Sequence, residues 1–375
     1  MLEDLATAIQ DQDYAQAALL LEELTSDEQE TPWGLFYKFR IAEGQGDYAT
    51  ARQGYRELIR EINNPKLLAR IRRGLERLSE IDRQQEQIKQ AERQAAIASA
   101  RNQPENQELG VFVLDRVEND QKQAAAQVLA EVFQIDAYSA RLQLPSRGWR
   151  LYRTGNLGEL KFYQQQLQAK GVPCFCLPVS QLLPIRVLSV HSLTAVMPQG
   201  EVQYRVNQEE RATWTFDWSE VSQRVEGLIP IFSETVNLNP NGKVDWKTTI
   251  HDYARICDLH LPQHQTILRF CDQIYEFQTG INLLNPASTT SHHSPSATTH
   301  DYWQGLLNLW KTHIPQAILW NDFKTFAEPA LDFPELLKLL DHQIDFMRRQ
   351  ETHWHEAFQL YSTLAFYQSP GQLPT

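Results

Sequence analysis

The stretch "QDYAQAALLLEEL", Gln12–Leu24, is nearly repeated by "GDYATARQGYREL", Gly46–Leu58. Tyr14 and Tyr48 are 34 residues apart, and so are Ala17 and Ala51. A fixed period of that length marks a supersecondary unit that stacks on its own copy. In each copy an Asp (Asp13, Asp47) stands where a side-chain oxygen can accept an orphan N–H at a helix start. Apolar residues then follow at helical spacing: Tyr14, Ala17, Leu21 and Leu24, then Tyr48, Ala51, Tyr55 and Leu58. The small alanine admits a neighbouring helix and the large residues fill the space beside it. Upstream, Leu2, Leu5, Ala6 and Ile9 form one further stripe, and Leu35, Phe39 and Ala42 another. Thr31 caps this last helix and Pro32 opens it, where its missing N–H costs nothing. The reading is helix–turn–helix, twice.

Two such units cannot bury a core alone, because each needs a neighbour over its apolar face. After Asn64–Pro65, the stripe Leu67, Ile71, Leu75 and Leu78 predicts the capping helix. Residues 1–80 are therefore expected to form helical hairpins with their cap. From Asp82 the chain is polar all round, which predicts a solvated helical linker over 81–107. Lys66, Arg70, Arg72, Arg73 and Arg77 read as a solvated basic face.

The pairs Leu5–Ala6, Tyr14, Ala17, Leu21 and Gly46, Tyr48, Ala51, Tyr55 resemble the tetratricopeptide repeat over about residues 1–64. Lys38 and Phe39 depart from its Leu–small pair, so packing must differ there. The resemblance implies a concave groove lined by the first helix of each unit. Transferred by position, its lining is Trp33, Phe36, Arg40 and Glu43, an aromatic pair beside an Arg that would anchor a protein partner; the alternative is that Trp33 and Phe36 pack against the capping helix or another domain. The Lys/Asn set of the carboxylate-clamp members is absent, so chaperone-tail binding is not implied.

Between Glu108 and Ser180 the rhythm changes. "GVFVLDRV" is a short apolar run suited to a buried strand, and "NDQKQAAAQVLAEVF" a helix capped by Asn119 or Asp120. "DAYSARLQL" reads as a short helix, "GWRLYRT" as a strand, "LGELKFYQQQLQAKG" as a helix closed by Gly171, and "VPCFCLPV" as a strand. The order β-α-α-β-α-β over 108–180 resembles the adaptor of the Clp protease and the ribosomal stalk C-terminal domain. Glu118 and Asp120 are approximate counterparts of the adaptor's acidic degron-binding residues, but no His occurs before Ser180. The resemblance carries the fold and not the activity.

Over 184–284, "IRVLSV", "EVQYRV" and "TWTFDW" alternate as strands, with Trp214, Phe216 and Trp218 on one face. "WSEVSQRVEGLI" reads as a helix and "ILRFCDQIYEF" as a strand or strand pair, giving a β-rich α+β unit or a partly open barrel. "NPASTTSHHSPSATTH", 285–300, is a Ser/Thr/Pro-rich loop expected to be disordered. Residues 301–368 read as helices, with Asn321 or Asp322 and Asp332 as caps, and aromatic stripes Trp303, Leu306, Leu307, Trp310 and Trp354, Phe358, Tyr361 as core. The fold class expected is multidomain α and α+β.

Motifs for chemistry are sparse. His251, Cys257, His260 and His264, with Asp258, are metal-ligand types without a paired zinc spacing. His353 and His355 lie two apart on a helix and point to different faces. His292 and His293 fall in the loop. Cys174 and Cys176 share a strand face, with no visible cause for a lowered thiol pKa. No phosphate-cradling loop, Ser elbow or catalytic carboxylate pair is present. Neither metal nor cofactor is expected.

Over 375 residues the 42% hydrophobic and 22% charged content is ordinary for packed domains, and the net charge is −12. That excess of acid argues against nucleic-acid binding and against an anionic lipid surface. The four cysteines are too few for a disulfide scaffold, no run is apolar enough to span a bilayer, and the polar start is no signal peptide, so a cytoplasmic protein is expected. The Gln-rich composition and this set of modules also resemble repeat proteins of cyanobacteria, which implies a role in assembling a large complex. A non-enzymatic protein-binding scaffold or assembly factor is the expectation, with no stable membrane insertion. The alternatives are a metal-dependent enzyme in the C-terminal half, or a Clp-type proteolysis adaptor.

Overall fold

The structure, a computed structural model, describes residues 2–206, 210–238, 244–284, 297–341, 344 and 352–368, the side chains of 235–238 and 244–247 apart. Most of the expected loop (285–296), His292, His293, Arg348 and Arg349 lie outside the described residues. The chain is mixed α/β, helices coming first and a multi-strand sheet after them. It divides into two compact units, Met1–Ala96 and Ile97–Thr375. Among the described residues no helix is long and apolar enough to cross a membrane.

The first unit contains α1 (Leu2–Gln10), α2 (Tyr14–Glu22), the short α3 (Ser26–Gln29), α4 (Pro32–Gly44), α5 (Tyr48–Glu61) and the start of α6 (Pro65–Asn102). The 34-residue period recurs in its hydrogen bonds. Gln12 (φ 61°) and Gly46 (φ 88°) occupy the left-handed position of equivalent turns. The next amides, Asp13 and Asp47, donate to the carbonyls of Ala8 and Ala42, both at 2.9 Å. Each Asp then caps the following helix: Asp13 Oδ1 accepts from Gln16 N at 3.0 Å, and Asp47 Oδ1 from Thr50 N at 3.1 Å. Ala17 and Ala51 are fully buried. Phe39, where the second helical hairpin departs from the first, finds room over Gly54, whose added Cβ would come within 2.2 Å of the ring.

Leu67, Ile71 and Leu78 of α6 close this core as the capping stripe requires. The cap and the polar stretch after it form one unbroken helix as far as Asn102, because nothing in 79–101 breaks a helix; Asp82–Ala96 is exposed but for a half-buried Arg93.

In the second unit, β1 (Leu109–Leu114), α7 (Lys122–Phe133), α8 (Ala137–Gln143), β2 (Arg150–Asn156), α9 (Leu157–Gln168) and β3 (Cys174–Pro178) build an antiparallel sheet of order β2-β1-β3. α7 is not capped by Asn119 or Asp120: its N-cap is Gln121, without a side-chain bond. α10 (Val179–Leu182) follows. Alternation sends Phe112 and Leu114 to the side of α7–α9, and Val111 and Val113 to the other.

The rest of the unit is a seven-stranded sheet made of β4 (Arg186–Ala195), β5 (Gly200–Arg205), β6 (Arg211–Phe216), β7 (Gln223–Leu238), β8 (Val244–Leu261), β9 (Thr266–Cys271) and β10 (Ile318–Trp320), with α11 (Thr299–His313), α12 (Phe323–Ala330), α13 (Pro334–Leu337) and α14 (Trp354–Tyr367). Strand order is β10-β7-β8-β9-β4-β5-β6, with β4–β9 and β10–β7 parallel. The stretch read as a helix from Trp218 is a 3-10 turn, Trp218–Glu220, followed by β7. Its apolar spacing is ambiguous between the two periods, and the long ladder offered by β8 decides for strand. Asp322 precedes α12 without a side-chain cap bond, and α13 starts at Pro334 after Phe333 rather than at a cap from Asp332.

α11 covers one face of this sheet. α14 covers the other and is buried on nearly every side, since the free face of β2-β1-β3 packs into the same core. Trp149 meets Phe175 and Tyr361 at centroid distances of 5.4 and 5.7 Å, and Tyr367 Oη donates to the Gln181 carbonyl at 2.6 Å. The module expected over 108–180 therefore does not stand apart; it shares a core with 301–368 because an exposed apolar sheet face must be covered.

Substituting Ala51→Leu should cost about 1–3 kcal/mol of unfolding free energy by overpacking a closed site. Leu19→Ala, at a position 57% exposed, should stay within about 0.5 kcal/mol. Urea denaturation of both variants checks this.

Candidate functional site

In the first unit the four expected groove residues separate. Phe36 and Glu43 are buried, at 5% and 6% exposure. Glu43 accepts from Tyr55 Oη at 2.8 Å and from Arg77 Nε and Nη2 at 2.7 and 3.0 Å, and Arg40 stands 3.3 Å away. A carboxylate out of water must be paired, and α6 supplies the pair. Arg70 of α6 lies over the half-buried Trp33 ring at 5.1 Å. Two members of the basic cluster thus serve the chain's own α4, and only Trp33 and Arg40 keep part of their surface open.

The residues read as possible metal ligands are dispersed by strand parity. Cys257 falls on the β8 face toward α11, whereas Asp258 and His260 bond side chains reaching them from the α14 side. His251 is exposed, and His264 pairs with Glu220 at 3.1 Å in the turn after β8. No group of three or more His, Cys, Asp or Glu among the described residues could hold a metal ion. Burial pushes the Cys174 and Cys176 thiols up, to about 12 and about 11, and Cys176 Sγ donates to Gln164 Oε1 at 2.8 Å. His353 precedes α14 and His355 is buried within it.

What the sequence did not announce is a buried polar quartet. Asp258 and Arg269 are cross-strand partners on β8 and β9, and Arg269 Nε and Nη2 donate to both carboxylate oxygens at 2.8 and 2.6 Å. Ser362 of α14 donates to Asp258 Oδ2, and His260 Nε2 lies 3.0 Å from Ser362 Oγ. The hydroxyl has one proton and spends it on the carboxylate. The hydroxyl oxygen must therefore accept from His260 Nε2–H, which assigns the tautomer. Desolvation holds His260 down to about 4, so the ring is neutral. A nucleophilic serine gives its proton to the histidine; this one is held the opposite way and is sealed from water, so the quartet fastens α14 to the sheet.

Open to solvent, by contrast, is a cleft of about 560 Å³ in the second unit. It lies where the pairing of β10 with β7 ends at Val225. Leu228, Pro230, Ile250 and Tyr253 form its sheet wall, Trp303 and Leu307 of α11 one helical wall, and Phe323 and Trp354 the other. Gly227 lets Phe358 and Phe323 press on the backbone: a Cβ there would come within 2.6 and 2.8 Å of their rings. Leu228, Ile250 and Tyr253 are 50%, 48% and 40% exposed, apolar groups gathered rather than scattered. Of the charged lining, Glu226 pairs with Arg224 at 3.0 Å and Arg255 with Asp272 at 3.1 Å. Lys324 and Glu328 stand one helical turn apart at the mouth.

No protein-family model, no curated protein and no solved structure matches the chain.

Asp258→Ala should destabilise by about 3–5 kcal/mol, by stranding the Arg269 guanidinium, and adding Arg269→Met should restore much of it; chemical denaturation of the single and double variants decides. His260 adds a pH signature. Its folded pKa lies below the ordinary 6.5, so the unfolded chain binds the extra proton first and stability falls as pH drops from about 6.5 to about 4. The loss is on the order of 3 kcal/mol, and the difference between the denaturation curves of the native chain and His260→Gln across that window isolates it.

Proposed function

We propose that this chain is a non-enzymatic protein-binding scaffold or assembly factor. Its N-terminal hairpins resemble tetratricopeptide repeats and its Glu108–Ser180 segment the adaptor fold, which makes two contact surfaces on one chain, the arrangement by which tethering raises local concentration. The free thiols fit a reducing compartment such as the cytoplasm.

The observation that carries the reading is the cleft of the second unit. Large apolar side chains are exposed together there, between aromatic walls, and an exposed gathering of that kind marks a recognition site more often than scattered apolar residues do. The N-terminal wall contributes less than its sequence implied, since Phe36 and Glu43 are spent on the core.

Affinity capture from an extract of the source cell tests this with the intact chain, Leu228→Lys/Tyr253→Ala and Trp33→Ala/Arg40→Ala side by side. A specific partner should be lost with the first pair of substitutions and only weakened with the second, circular dichroism showing both variants folded. A partner retained by Leu228→Lys/Tyr253→Ala would remove the cleft from the proposal.

A further inference from the structure

We infer that the cleft beside β7 binds an uncharged, apolar, ring-bearing small molecule. The inference rests on reading that cleft as a binding site and goes beyond a protein partner docking over it, by giving its interior a small-molecule occupant.

Size comes first. At about 560 Å³ the cleft falls within the roughly 300–1,000 Å³ of sites that enclose small molecules. Charge comes second. Glu226 is answered by Arg224 and Arg255 by Asp272, while Lys324 and Glu328 offset each other at the mouth. The lining thus offers no net charge to an ionic ligand, and desolvating one there would go uncompensated. Shape is third: the buried Trp303 lines one side and the buried Phe323 with the half-buried Trp354 the other, aromatic groups of the kind a ring packs against.

The sheet edge argues against a peptide strand as occupant. Beyond Val225, β7 has no neighbour on its β10 side among the described residues. Pro230 lies in the middle of this edge and cannot donate, and Glu226 and Glu234 stand to either side of it on the same strand. Proline and charge are the means by which edges refuse added strands. Side-chain space is what remains.

The test uses the full chain with N-phenyl-1-naphthylamine as a neutral probe and 1-anilinonaphthalene-8-sulfonate as its anionic counterpart. The neutral probe should bind saturably, one per chain, quench tryptophan emission from Trp303 and Trp354, and bind more tightly than the sulfonate. Leu228→Arg and Ile250→Arg, both at half-exposed positions, should each weaken it about tenfold or more, by placing an unpaired charge in the apolar wall. Leu339→Arg, equally exposed and outside the lining, should leave it unchanged. Absence of saturable binding, indifference to both arginine substitutions, or preference for the sulfonate overturns the inference. A protein partner lost with Leu228→Lys/Tyr253→Ala while no probe binds would keep the cleft as a docking surface and discard the small molecule.

Discussion

The second unit depends on one buried contact, the bidentate ion pair between Asp258 and Arg269 with Ser362 resting on it. Two charges inside a sheet are tolerable only if each satisfies the other and every remaining lone pair finds a donor. Here the guanidinium fork takes both carboxylate oxygens, a helix supplies the hydroxyl, and Arg269 also lies over the Phe358 ring at 5.1 Å. The arrangement depends on Asp258 and Arg269 standing opposite each other in the register of β8 and β9, and on α14 turning Ser362 toward them. A merely greasy interface would bury as much surface and specify less. Since α14 also meets Trp149 and Gln181, the same contact fixes how the two sheets of this unit share a core.

The first unit is organised by local rules. A left-handed turn residue, a returning amide and an aspartate cap recur at one period, and each lies within a few residues of the groups it satisfies. Its buried long-range ion pair is that of Glu43, whose partner Arg77 lies a further period along the chain. That bond turns the wall expected to receive a partner into part of the repeat's own closure.

The proposed binding surface accordingly shifts toward the second unit, where apolar side chains stay exposed around a cleft while Cys174, Cys257, Cys271 and His260 are shut away. The cleft exists because β10 pairs with only three residues of β7, with α11 on one side of the gap and α12 and α14 on the other. Neither of these facts is visible in the residues that line it. Leu228, Ile250 and Trp303 are far apart in the chain, and each by itself reads as ordinary core.

The sequence by itself determined whatever depends on near neighbours. The helical hairpins and their Asp13 and Asp47 caps, the short apolar strand around Phe112, and the apolar stripes of α11 and α14 all follow from hydrophobic patterning and backbone hydrogen bonding, which act over a few residues. Only the tertiary structure decided that Gln223–Leu238 is strand, that Cys257 and His260 face opposite ways from a single ladder, and that Arg77 neutralises Glu43. It alone joined α14 to the sheet through a buried polar quartet and left a cleft beside β7. These outcomes depend on which segment arrives to satisfy a partly filled surface, and that is settled by long-range packing and by the cost of an unpaired polar group, neither of which is written in any local stretch.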